Sequence, residues 1–130
     1  MSVKFRKSIH KAIDEKNVSR LKELFQLHDH NFHVNLVLKI RKGNFEDVKQ
    51  LVKSSGSIGA NYIEANDALS KKDFKLRLRI SRKESKETAY WLRLLDTRGE
   101  SELEQLRAAL VQEAIELMRI ISAILRKSGE

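Results

Sequence analysis

Between Lys71 and Arg93, nine basic side chains stand against three acidic ones, Asp73, Glu84 and Glu87, for a net charge of +6 on one segment. Lys71, Lys72, Lys75, Arg79, Arg82, Lys83 and Lys86 are the candidate nucleic-acid-binding residues. Within this set Lys75, Arg79, Arg82 and Lys86 recur at intervals of four, three and four, the spacing that lines side chains along one side of a helix. Such a row suits phosphates, because each neutralised phosphate releases condensed counterions. Two other readings compete with it. One is a plain solvated helix face. The other is contact with a neighbouring subunit, since Glu100, Glu102 and Glu104 open an acidic final segment.

A second group is polar where its surroundings are apolar. Asn61, Glu64, Ser81, Ser85 and Thr88 fall on or beside stripes of hydrophobic residues. Buried polar groups need partners, since an unsatisfied one costs roughly 1–3 kcal/mol. Asn61, Glu64, Ser81 and Ser85 are therefore expected to form a structural polar network. In that network Glu64 would meet Arg79 or Lys83 and fix the register of two helices. As an active-site acid, Glu64 has no companion base or nucleophile in the sequence. His28, His30 and His33 beside Asp29 invite a metal-site reading. On a helix only His30 and His33 share a face, whereas a loop gathers all three around zinc or a similar ion. The expectation is that they are incidental and that no metal or cofactor is held. Tyr90 and Trp91 offer rings for stacking on unpaired bases, but at helical spacing with Leu94 and Leu95 they read as core or interface. There is no glycine-rich phosphate loop, HExxH or nucleophile elbow, so neither an enzyme nor a small-molecule substrate is expected.

The elements that must carry these residues are helical. The 130 residues contain no proline and 34% charged against 41% hydrophobic residues, a balance suited to helices with one apolar stripe each. Without cysteine there is no disulfide or thiolate chemistry. MSVKFRKSIHKAIDEKN lacks the unbroken apolar stretch of a signal peptide, and no later segment is apolar enough to span a bilayer, so a cytoplasmic location and no membrane partner are expected. The net charge of +8 permits an anionic partner such as RNA or DNA.

The last helix is predicted to start with a capping box, Ser101-Glu-Leu-Glu104, and to carry Leu103, Leu106, Leu110, Ala114, Leu117, Ile121 and Ile124 on its apolar face. Gly129 is its terminator. The helix before it runs from Lys71 to Asp96 behind a Ser70 cap. KLRLRI, Lys75–Ile80, alternates like a strand, yet Phe74, Leu78, Ser81, Ser85, Thr88, Leu92 and Leu95 fit one helical face, and a helix is expected. SSGSIG, residues 54–59, has the composition of a linker. The period Leu51, Ser55, Ile58, Tyr62, Ala65, Leu69 nevertheless runs straight through it, which predicts a helix whose small residues, Gly56 and Gly59 among them, let a neighbour approach. In the N-terminal third, residues 20–42 draw either as one helix or as two short ones. IDEKNVSRLKELF and IRKGNFEDVKQLV align 27 residues apart, which leaves an ankyrin-like helix pair as an alternative to simple cap similarity. Residues 4–16 are expected to form a short accessory helix.

QLVKSSGSIGANYIEANDALSKKDF, RISRKESKETAYWLRLL and QEAIELMRIISAILRKS, in that order and spacing, resemble three helices of a bacterial four-helix-bundle family. Its members were first noticed in intervening sequences of large-subunit ribosomal RNA genes and were named ribosomal proteins for that reason. The resemblance covers about residues 48–128. It implies an antiparallel bundle that assembles into a ring, commonly a pentamer. It also implies a likeness to the nucleic-acid-binding bundle proteins that accompany retroelement reverse transcriptases, and no catalytic activity. The front of the chain departs from the family pattern, because only GNFEDVK separates NFHVNLVLKIRK from Gln50-Leu51.

The fold expected is an all-α, antiparallel up-down four-helix bundle with a short N-terminal accessory helix, in one domain spanning residues 1–130. Residues 1–19 form the extension and 20–130 the bundle. The function expected is that of a non-enzymatic homo-oligomer binding RNA or DNA through the third predicted helix. The alternative is a protein–protein assembly or scaffold module that binds no nucleic acid.

Overall fold

The computed structural model describes residues 45–130, and every described element is an α-helix. They are α1 (Phe45–Asn66), α2 (Lys71–Leu94) and α3 (Ser101–Lys127). The expectations for residues 1–44, namely the accessory helix, the first bundle helix or ankyrin-like pair, and the histidine cluster, lie outside the described residues.

SSGSIG lies inside α1, which continues unbroken to Asn66. The apolar period prevails over the linker-like composition because it keeps burying side chains along the length of α1. Leu51, Ser54, Ser55, Ile58 and Ala65 are all buried. Two details of the expectation need correction. Gly56 is exposed, and a Cβ added there would meet nothing within 4 Å, so it is not a point of close approach. Leu69 lies past the end of α1 and is 85% exposed, since the helical period stops applying where the helix stops.

α2 begins as expected, with the Ser70 side chain accepting a hydrogen bond from the Asp73 amide at 3.1 Å. KLRLRI is helical. Residues two apart lie about 200° round a helix, so Leu78 is buried while Leu76 is 50% exposed, and the strand-like alternation disappears. α3 departs from its predicted start. Its N-cap is Glu100 and no side chain caps it. The Glu104 amide donates to the Glu100 carbonyl at 2.9 Å, while the Glu104 carboxylate accepts from the Thr97 hydroxyl and from Arg107. A carboxylate gains more from a charged donor than from an exposed helix-terminal amide, so the capping box does not form.

The core falls into two apolar clusters, and their membership defines the topology. One joins Ile58, Ala65 and Ala68 to Phe74 and Leu78 and to the C-terminal half of α3, Leu117–Leu125. The other joins Val48 and Leu51 to Ala89, Leu92 and Leu95 and to the N-terminal half of α3, Leu103–Ala114. The start of α1 therefore lies level with the end of α2 and the start of α3, as antiparallel neighbours joined by short turns require. Between the clusters sits a waist of small polar residues, Ser54, Ser55, Ser81, Ser85 and Thr88, each at most 3% exposed.

α3 ends in a Schellman motif. Gly129 (φ 89°) occupies the left-handed position, its amide donates to the Arg126 carbonyl, and the Glu130 amide reaches back to the Leu125 carbonyl at 3.1 Å. This closure fixes the direction in which Glu130 leaves the helix. None of the described helices is long and apolar enough to cross a membrane.

Candidate nucleic-acid interface

α2 carries every candidate cation, and the fold sorts them into groups. The Arg79 Nε donates to Glu130 Oε2 at 2.9 Å, and Arg82 Nη1 donates to Glu130 Oε1 at 2.9 Å. One carboxylate is thus gripped by two arginines, one on each oxygen, from side chains one turn apart. Lys71 and Lys75 lie on the same side. An ideal Cβ placed on Gly129 would sit 3.6 Å from Lys75 Nζ and 3.8 Å from Lys71 Nζ. Four of the seven candidates, Lys71, Lys75, Arg79 and Arg82, therefore gather around Ser128–Glu130.

Lys83 goes elsewhere. With Glu84 and Glu87 it lines a polar cleft against Lys53, Ser54 and Ser57 of α1, and its Nζ stands 3.9 Å from Glu87 Oε1. Lys72 and Lys86 are exposed and outside both groups. Arg77, not among the candidates, is turned back to Asp73 within α2.

Charge balance shows in two carboxyls. Hydrogen bonds from Arg79 and then Arg82 hold the Glu130 carboxyl below the ordinary glutamate value, so it is an anion at neutral pH. In the cleft, burial and the neighbouring Glu87 push the Glu84 carboxyl up, against the pull of Lys83 and Lys53. The cleft is therefore mixed in sign, whereas the Arg79–Arg82 side is cationic apart from Glu130. The Arg79–Arg82 side suits a phosphate backbone better.

The polar group forms contacts that differ in kind. Ser81 Oγ donates to the Ile58 carbonyl of α1 at 2.9 Å, a bond between helices. Thr88 Oγ1 lies 3.0 Å from Ser54 Oγ across the same interface and 2.8 Å from the Glu84 carbonyl. Ser85 donates to the Ser81 carbonyl within α2. Asn61 stays on its own helix, donating to the carbonyl and hydroxyl of Ser57. Glu64 is exposed and takes no part, since Arg79 is engaged by Glu130 and Lys83 faces Glu87. Ser54 is the member of this waist that periodicity alone did not single out. Tyr90 packs edge-on against Trp91, with ring centroids 5.0 Å apart and planes at 72°, and its ring is exposed while Trp91 lies against the second cluster. Among the described residues no group of side chains could hold a metal ion.

Glu130 is the residue of the site that sequence reasoning missed. It lies 48 and 51 positions from its partners, beyond any helical periodicity. The only signal was Gly129, which marks a helix end but does not say what that end meets.

Residues 25–123 match the family model of the 23S rRNA-intervening sequence protein. The chain is also similar to a protein of unknown function from the S23 ribosomal protein family of Bacteroides thetaiotaomicron VPI-5482, whose crystal structure was determined at 1.70 Å resolution. The two share 30% sequence identity over 85% of this chain and 98% of that one, with a TM-score of 0.71. No curated protein matches the sequence.

Proposed function

The chain belongs to the 23S rRNA-intervening sequence protein family, and from that premise we propose that it is a non-enzymatic, homo-oligomeric accessory protein that binds RNA or DNA through α2. The observation that carries this reading is the grip of Arg79 and Arg82 on one oxyanion at a part-exposed surface, with Lys71 and Lys75 beside the adjoining Gly129. Arginines positioned to take two oxygens of one group suit phosphate as well as carboxylate. Nothing in that arrangement supplies a nucleophile or a proton relay, so binding rather than catalysis is its chemistry.

The bundle that presents this surface is read as four antiparallel helices within one domain, with a segment before Phe45 supplying the remaining helix. Its assembly is read as a cytoplasmic ring of identical subunits, a pentamer by resemblance to the family. The alternative, a scaffold module with protein partners alone, draws on the exposed apolar side chains Ile63, Leu69, Leu76, Tyr90 and Leu94.

Salt dependence separates the two. For four phosphate contacts to a single strand, the log–log slope of affinity against salt is expected to be about −3. Changing Lys71, Lys75, Arg79 and Arg82 together to glutamine should flatten that slope and weaken binding to all sequences alike, with helicity and oligomer mass preserved. An unchanged slope in the variant would move the interface elsewhere. No binding by the parent protein at low salt would leave the scaffold reading.

A further inference from the structure

Glu130 occupies the very cations assigned above to nucleic acid. Resting on that assignment, we infer that Arg79 and Arg82, flanked by Lys71 and Lys75, form a discrete phosphodiester site, that the Glu130 carboxylate fills it in the unbound protein, and that a nucleic-acid phosphate enters by displacing Glu130.

Three features carry the inference. The first is shape. The carboxylate is bound through both oxygens, each to a different arginine and each at 2.9 Å. Two oxygens of a phosphodiester offer the same pair of acceptors with the same single negative charge, so the group already there stands in for the group that would replace it.

The second is placement. Glu130 is not held there by a loose chain. The left-handed Gly129 and the return bond from the Glu130 amide to the Leu125 carbonyl aim it back across α3 towards α2. Lys71 and Lys75 stand beside Gly129, their Nζ atoms 3.8 and 3.6 Å from where a Cβ would sit. Among the described residues the two arginine side chains have no other ion pair or hydrogen bond that competes with Glu130.

The third is reversibility. The side chains of Arg79, Arg82 and Glu130 are 46%, 26% and 29% exposed. Ion pairs at this exposure are weak and are screened by salt. A polyanion that presents several phosphates at once therefore outcompetes a single tethered carboxylate, whereas a lone small anion does so poorly. The arrangement keeps the cations ordered and partnered when no strand is bound, and it sets a threshold that favours polyanions.

The test uses the whole chain as the parent protein, Glu130→Ala, and Glu100→Ala as a charge control. Glu100 is exposed at the start of α3, and only its backbone is used there, so its loss removes one negative charge without touching Arg79 or Arg82. Affinity for a labelled single-stranded oligothymidylate is measured by anisotropy across a salt series, and the carboxyl carbon of Glu130 is followed by NMR in the parent. Glu130→Ala should bind about three- to tenfold tighter than the parent at low salt, the range expected for removing a weak surface competitor. Glu100→Ala should stay close to the parent, and the Glu130 carboxyl signal should move as oligonucleotide is added. Equal gains in both variants would reduce the effect to net charge and overturn the inference. So would unchanged affinity in Glu130→Ala, or a Glu130 signal that stays fixed while the strand binds, and in either case nucleic-acid binding by α2 would still stand. Failure of both parent and Glu130→Ala to bind at low salt would overturn the assignment of α2 and this inference together.

Discussion

The Ser81 hydroxyl donates to the Ile58 carbonyl at 2.9 Å across the α1–α2 interface, and both residues are fully buried. The acceptor is a backbone group inside α1, so the bond links one helix to the other at a fixed height in the bundle. It sits in the polar waist between the two apolar clusters. Ser81→Ala removes the donor and leaves the small volume nearly filled, and it should destabilise the fold by about 1 kcal/mol. Ser81→Leu must place extra carbons at a fully buried position that already meets the Ile58 carbonyl, and overpacking should cost roughly 1–3 kcal/mol. Urea unfolding of the two variants checks the order. Equal midpoints for parent and Ser81→Leu would mean that the interface has slack at the waist.

Gly56 and Gly99 should respond oppositely to alanine. Gly56 lies within α1 without positive φ, and a Cβ there meets nothing within 4 Å. Gly56→Ala removes backbone freedom from the unfolded chain and should stabilise by about 0.5–1 kcal/mol. Gly99 stands at φ 70°, directly after Arg98 at φ 56°, in the turn that leads into α3. Gly99→Ala places a side chain in the left-handed region and should destabilise by about 1 kcal/mol. Paired thermal melts decide the signs.

Two glutamates should give pH effects of opposite direction. The Glu104 carboxyl is lowered from 4.5 by hydrogen bonds from Thr97 and Arg107. Its stabilisation is fully present above the unfolded value and is lost as pH falls through the lower folded one. The Glu84 carboxyl is raised from 4.5, first by burial and then by Glu87. Its folded form prefers the proton, so stability declines as pH rises from the unfolded value through the folded one. Glu84→Gln should therefore melt higher than the parent at neutral pH and lose that advantage in acid. Glu104→Gln should melt lower at neutral pH and approach the parent in acid. Melting temperatures of the three proteins across this range test both signs.

The proposed homo-oligomer gives a further outcome. Ile63 on α1 and Leu76 on α2 are 61% and 50% exposed, near the turn that joins the two helices. Light scattering of the parent should give a mass several times the 15.1 kDa of one chain. Ile63→Glu with Leu76→Glu should lower that mass without loss of helicity if these side chains cover a subunit contact. A parent mass of a single chain at micromolar concentration would sink the assembly reading.

Much of the helical framework can be read from one strand of sequence because its causes are local. Ser70 caps α2 through an amide three residues on, and the face Phe74, Leu78, Ser81, Ser85, Thr88, Leu92 was set by the 3.6-residue period alone. The same period carried α1 through SSGSIG, where composition suggested a linker. What failed were choices between competing partners. The Ser101 capping box was a sound local option, but Glu104 had Thr97 and Arg107 on offer once the chain turned at Gly99. Glu64 and Arg79 each suited the other by charge, yet Arg79 lies beside Glu130, 51 positions away. Periodicity assigns a residue to a face of its own helix. It does not say which end of which other helix that face meets, and so the division of the α2 cations between the Glu130 site and the α1 cleft was decided by tertiary packing.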